Sequence, residues 1–415
     1  MEREIKQKIN IRVKSAESKI LEKKISLIAL FFVVVQFLNN SIFLMMFPFL
    51  NVIIQVALYG SMGLILVSSY PKFSFQSKTA LLILGTAISL TVNNVDAKYG
   101  SGIRWVLWLL LLASIGPMFS GKLLLKIRYK VLQYFLKSFV IITLLSFLYK
   151  LFGLPAIGRG NFAGLMNQSM VLGPIAAIAG IYSFYNYLSA GNKKLSLYYL
   201  VISLISGLVV VFASSRLAFA GYIAGMMFLF VKPFKFRIIY SMTIILIGLS
   251  IFSRIDDGIE KVERSIDKGL VEKGMNNSRE MLWEDRIREF KENPVFGVGF
   301  SAQNDLLIKS ENSLGGRIEP GSGYLMILSM TGVFGLLMFI WYFYFLFNNR
   351  KFWKEIYKSE IYKLSIFAFF AIHFIGEGYV YSAGSMMAAF FWLLVGITFP
   401  YENIKKYNIV QKRGK

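Results

Sequence analysis

Apolar runs, most of them long enough to cross a bilayer, alternate along the chain with short basic connections, and this pattern predicts an all-α polytopic membrane protein. A helix spanning the hydrocarbon core needs about 17–25 apolar residues. Segment 1–24 carries eight Lys or Arg and four Glu, which predicts an amphipathic cytoplasmic surface helix without the small-residue cleavage pattern of a signal peptide. Segment 25–69 is too long for one span and predicts two helices joined by a turn near 39–48. Further spans are predicted at 79–92, 103–119, 131–152, 171–188, 195–213, 217–231 and 238–253. A large loop at 254–320 follows, then spans at 323–347, 364–374 and 385–400. The total is about twelve transmembrane helices, nine in 25–253 and three in 321–400, with a basic tail at 401–415.

Charge fixes the expected orientation. The net charge is +23, yet the 254–320 loop holds 11 basic against 14 acidic residues, so the rest of the chain carries 35 against 9. Most of that excess lies in short connections on one side, the positive-inside pattern, which places both termini in the cytoplasm and the large loop outside. The charge is therefore read as topology, and no nucleic-acid partner is expected. Absence of Cys and a single His exclude disulfides, thiolate metal sites and a His-based zinc site. No hydropathy repeat relates the halves, and the large loop is off-centre, which counts against a transporter of two matched halves.

Against this apolar background the stretch 276–300, NNSREMLWEDRIREFKENPVFGVGF, is conspicuously polar and predicts a helix in the external loop. At 100° per residue, Arg279, Trp283, Arg286 and Phe290 share one face within about 60°. Asn277 with Glu280 forms a capping pair, Asn293-Pro294 stops the helix, and Gly297 and Gly299 let the chain turn back. Other polar residues gather toward the outer side: Arg159, Arg216, Arg317, Glu319 and Glu377.

The segments SSRLAFAG (214–221), SREMLWEDRIREFKENPVFGVGF (278–300) and GSGYLMILSMTGVFG (321–335) resemble, in order and spacing, the O-antigen polymerase and ligase superfamily of membrane glycosyltransferases. The resemblance covers about half the chain. Ligases of this superfamily typically carry a histidine just after the loop; here that position is Gly321, followed by Ser322, while Tyr324, Gly332 and Gly335 match. Together with GEGYVYSAGS around Glu377, this resembles the Wzy-type O-antigen and capsule polymerases.

The resemblance implies a GT-C-like fold in the bacterial cytoplasmic membrane. It implies transfer of a glycan from undecaprenyl diphosphate to the non-reducing end of another lipid-linked repeat unit, inverting and independent of metal or other cofactor. The implied partners are those lipid-linked donor and acceptor oligosaccharides, membrane lipids, and a chain-length regulator and flippase of the same pathway. Arginines suit a diphosphate leaving group because they stay charged and fork onto two oxygens. Arg216 either binds phosphate or anchors a helix end at the headgroups; Arg279, Arg286, Arg159 and Arg317 are further phosphate candidates, with Trp283 beside them. Glu377 is the candidate base for the acceptor hydroxyl, or else a structural partner of His373 one turn before it. Glu319 is the substitute base, and Tyr324 and Ser322 are candidate hydrogen-bonders. A ligase-type transferase and, in another class, a lipid-linked oligosaccharide flippase or exporter are the alternatives.

Overall fold

A computed structural model describes residues 2–70, 73–93, 100–154, 161–230, 278–302, 321–348 and 360–398; of 2–19, 230 and 278–281 it describes the backbone alone. The helices are α1 (Glu2–Asn40), α2 (Ile42–Met46), α3 (Asn51–Ser69), α4 (Ala80–Val92), α5 (Ser101–Ser114), α6 (Lys122–Leu151) and α7 (Ser169–Ser189). They continue with α8 (Lys193–Phe212), α9 (Arg216–Phe230), α10 (Ser278–Glu292), α11 (Gly323–Phe347), α12 (Ile361–His373) and α13 (Met386–Thr398). A two-residue strand pair, Ser74–Phe75 against Phe119–Ser120, ties two connections together.

Five of the described helical stretches are long and apolar enough to cross a membrane: Pro48–Ser69, α6, α7, α8 and α11. Shorter apolar helices join them, so the molecule is an all-α membrane bundle. The expected amphipathic segment and first span are one uninterrupted helix, α1, and the chain breaks between Asn40 and Asn51, where Pro48 starts a short 3₁₀ turn. The expected ninth span, most of the large loop and the basic tail lie outside the described residues.

Every residue of α13 is buried, as expected of a helix apolar all round. Its rings mesh with α6 and α5: Phe390 lies 5.0 Å from Phe139, and Trp392 lies 6.0 Å from Trp108. Arg128 of α6 is fully buried and donates to the carbonyls of Ala113, Ser114 and Phe119 at 2.8–3.1 Å, closing the carbonyl end of α5. Glycines set the close crossings. A Cβ on Gly85 of α4 would meet the backbone of Gly335 of α11 at 3.2 Å. In the pairing of α9 with α12, Gly221 faces Phe369 and Gly225 faces Ser365, so the two helices run antiparallel.

Helix α11 is broken in the middle. Gly332 has φ 65° and ψ −171°, a conformation open almost only to glycine, and it interrupts the backbone ladder. The segment 294–299 fills the gap. Val298 and Gly299 donate N–H groups to the carbonyls of Ser329 and Met330 at 2.9 and 3.2 Å, while Pro294 and Val295 accept from Val333 and Phe334 at 2.9 and 3.1 Å. Backbone groups freed in an apolar surrounding must find partners, and here the turn that follows α10 supplies them. The Gly-x-Gly of the sequence therefore does more than turn the chain: Gly297 (φ 72°) and Gly299 (φ 115°) seat this segment against the α11 break.

Candidate functional site

Several predicted residues converge at one end of the bundle, around the first half of α11. Gly323 begins that helix with its N–H on the Phe374 carbonyl at 2.8 Å, which joins α11 to the end of α12. Helix α12 stops at His373, so Glu377 is not one turn along the same helix face; it lies in the turn beyond, its N–H on the His373 carbonyl at 3.1 Å. His373 is buried, stacked on Phe369 with centroids 5.1 Å apart, and its Nδ1 is 2.8 Å from the Tyr379 hydroxyl. Burial pushes the Tyr379 hydroxyl well above the usual phenol range, and the nearby Glu377 carboxylate adds to the shift.

Arg216 is the exposed first residue of α9. The reversal from α8 takes three residues, with Ser214 in the left-handed region (φ 50°) and its N–H on the Val211 carbonyl at 2.9 Å. A non-glycine residue there is uncommon and marks a constrained turn. Extending the Gly221–Phe369 and Gly225–Ser365 register by five residues sets Arg216 level with residue 374, near the Glu377 turn.

Helix α10 turns its predicted face inward onto α11 instead of leaving it open. Arg286 is buried and donates through Nη1 to Glu289 Oε2 at 2.9 Å and to Ser329 Oγ of α11 at 3.3 Å. Glu289, equally buried, is a functional-site neighbour that the sequence reading passed over. Trp283 Nε1 donates to the Gly321 carbonyl at 3.2 Å. Arg279 is the second residue of α10, at the end nearest Gly321.

Ser322 and Tyr324 serve the junction. Ser322 caps α11, its Oγ accepting from the Leu325 N–H and donating to the Phe374 carbonyl, both at 3.4 Å; the Tyr324 hydroxyl donates to the Ala371 carbonyl at 2.7 Å. Loss of a cap costs about 1 kcal/mol. Ser322→Ala should thus lower the thermal unfolding midpoint by a few degrees while leaving turnover per folded molecule unchanged. Arg159, Arg317 and Glu319 lie outside the described residues. No group of three metal-ligating side chains occurs among the described residues.

On the neighbouring face of the α11 half-helix lies a cavity of about 270 Å³. Met326 and Met330 line it, with Tyr59 of α3, Arg104 of α5, Ser301 and Tyr381. Gly378, next to Glu377 in the chain, also lines it. Phe300, the end of the 276–300 stretch, is buried beside it between Trp108 and Tyr381, with centroids 5.7 and 5.1 Å away. Arg104 is the residue sequence reasoning missed. Its signal was that of Arg216, an arginine in the first turn of an apolar helix, without a motif around it.

Residues 201–340 match the family model described as O-antigen ligase. The matched stretch holds Arg216, Arg279, Trp283, Arg286, Ser322, Tyr324 and the α11 break, but not Arg104 or Glu377. No curated protein sequence matches the chain.

Proposed function

We propose, on the premise that the chain belongs to the O-antigen polymerase and ligase superfamily, that it is a polysaccharide polymerase. In this reading a glycan leaves undecaprenyl diphosphate for a hydroxyl at the non-reducing end of a second lipid-linked repeat unit, on the outer face of the bacterial cytoplasmic membrane. A glycosyl diphosphate is already activated, so the site's main task is to stabilise charge growing on the leaving diphosphate. Arg216 and Arg279, at the starts of α9 and α10, are the groups assigned to it; helix N-termini carry partial positive charge that favours the same anion. Arg286, its charge met by Glu289, fixes α10 on α11. Glu377 takes the proton of the attacking hydroxyl, which forms the new glycosidic bond as the bond to the diphosphate breaks.

The observation that carries the polymerase over the ligase is Gly321. Ligases resembling this chain place a histidine there, whereas Gly321 has φ 67° and a Cβ on it would lie 2.8 Å from Leu282 Cβ. That position offers no room for a side-chain base. The family description itself favours the ligase as second reading.

The glycolipids of a deletion strain separate the two. A polymerase deletion leaves single repeat units on lipid; a ligase deletion leaves long polymer on lipid with nothing passed to the final acceptor. An exporter deletion, a third outcome, holds the lipid-linked unit on the cytoplasmic side. Arg216→Ala is expected to slow chain growth by about 10²–10³-fold, as loss of one preorganised donor does, at unchanged membrane abundance. Normal chain lengths in this variant would remove Arg216 from the mechanism.

A further inference from the structure

We infer that the cavity between Ser301 and Tyr381 seats the terminal sugar of the acceptor as one uncharged ring, with the Ser301 hydroxyl bonded to it; the inference rests on the glycan-transfer reading above. At about 270 Å³ the cavity falls below the about 300–1,000 Å³ of sites that enclose drug-sized ligands, a fit for a single pyranose. Tyr59, Tyr381, Met326 and Met330 offer ring and thioether surfaces for its C–H faces. Arg104 is the single charged side chain among the described lining residues, and it already has a partner within the protein, so nothing is asked of its guanidinium. Hydroxyls at Ser301 and Ser382 remain, and neither makes a hydrogen bond among the described residues.

Ser301 is held at φ 55°, in the left-handed region that glycine occupies with less strain. Both sides of the residue are tied down. The Ala302 N–H bonds the Gly299 carbonyl at 3.2 Å, the Ser101 hydroxyl donates to the Ser301 carbonyl at 3.4 Å, and Phe300 is buried against Trp108 and Tyr381. Serine kept in a strained conformation, its hydroxyl on a cavity wall, supplies one donor and acceptor to whatever enters. The facing wall is equally fixed: Asn39 Nδ2 donates to the Gly384 carbonyl at 3.0 Å, and the Ser382 N–H bonds the Tyr379 carbonyl at 2.9 Å. Walls set in advance lower the cost of ordering on binding. Neutral hydroxyls pair with sugar hydroxyls, whereas a diphosphate would call for several cations, and those lie elsewhere: Arg216 and Arg279 begin α9 and α10, neither of which lines the cavity. The cavity also reaches Gly378, so a ring seated there lies beside Glu377, the group assigned to deprotonate the acceptor.

Full-length protein in lipid nanodiscs tests this without turnover, titrated under saturation-transfer NMR with the methyl glycosides of glucose, galactose, mannose and N-acetylglucosamine. At least one is expected to bind, and Ser301→Gly to weaken it by about 3–10-fold, as loss of one neutral hydrogen bond does. The same variant should unfold at or above the native temperature, because glycine takes this φ without steric cost. Ser301→Ala, which keeps the Cβ and loses only the oxygen, should weaken binding equally. A serine that merely shapes the turn would leave affinity unchanged in both variants, which would overturn the inference. So would binding of none of the four glycosides, tighter binding of glucuronate than of the glucoside, or displacement of the bound glycoside by inorganic pyrophosphate. Leu107→Trp fills the cavity from α5 and should abolish binding; a glycoside that still binds this folded variant sits elsewhere and equally overturns the inference. Should Leu107→Trp fail to fold, the two Ser301 variants decide alone. The two proposals fail separately. An Arg216→Ala variant with normal polymer ends the polymerase mechanism whatever the glycosides do, and glycoside binding indifferent to Ser301 ends the cavity assignment whatever the polymer does.

Discussion

Replacing Glu377 by Gln is expected to leave the protein folded in the membrane and to slow glycan transfer by about 10²–10⁴-fold, the usual contribution of a positioned general base. The amide keeps the shape of the side chain and removes its ability to take a proton from the acceptor hydroxyl. Position singles this carboxylate out: it is half-buried, in the turn that follows α12, between the Arg104 cavity at Gly378 and the start of α11 at Gly323. The measurement is polymer formed from purified lipid-linked repeat units, per folded molecule, beside a thermal unfolding curve of the same preparation. Glu377→Asp should recover part of the rate. A purely structural Glu377 would instead lower stability and rate together, and a native rate in Glu377→Gln would move the base to another carboxylate, Glu319 being next.

The second large effect concerns folding. Gly332→Ala is expected to destabilise the protein by on the order of 3 kcal/mol or more and to sharply reduce the amount in the membrane. A Cβ at this position collides with the Val295 carbonyl, and the backbone conformation itself excludes other residues. Relief by returning Gly332 to helical angles would close the α11 break and release the four hydrogen bonds that 294–299 makes to it. Each such bond contributes about 0.5–1.5 kcal/mol, and more is at stake where no water can replace it. Gly335→Ala is the companion: its Cβ would press on Thr331 of its own helix at the Gly85 crossing, with ordinary helical backbone. If Gly332→Ala accumulates and unfolds like the native protein, the break does not hold the bundle's end together.

The helices were legible where composition alone decides them, and so was α10, whose end at Glu292 is followed by the Asn293-Pro294 stop. Which way α10 faces was not. Its Arg279–Trp283–Arg286 stripe reads as a surface facing an anion, yet Arg286 is turned onto Glu289 and Ser329, because a buried cation needs a partner and α11 lies against that face. The partner of the Gly-x-Gly was equally hidden. It is a break in a helix that begins some two dozen residues later in the chain, and no local signal joins Gly297 and Gly299 to Gly332. Arg104 sits one residue inside a predicted apolar span, where position alone marks a headgroup anchor; only the fold brings Tyr59, Ser301 and Tyr381 around it.

The burial of α13 on all sides has a consequence for how the molecule is made. The helix at the centre of the bundle is the last of the described helices to leave the ribosome, 346 residues after the end of α1. At about 5–20 residues per second, α1 waits roughly 20–70 s for the helix that will cover it. During that interval the faces of α5 and α6 that pack on α13 have lipid as their neighbour. Placement of α13 is then the closing step of assembly, when lipid is expelled and Trp392 reaches the Val380 carbonyl at 2.7 Å.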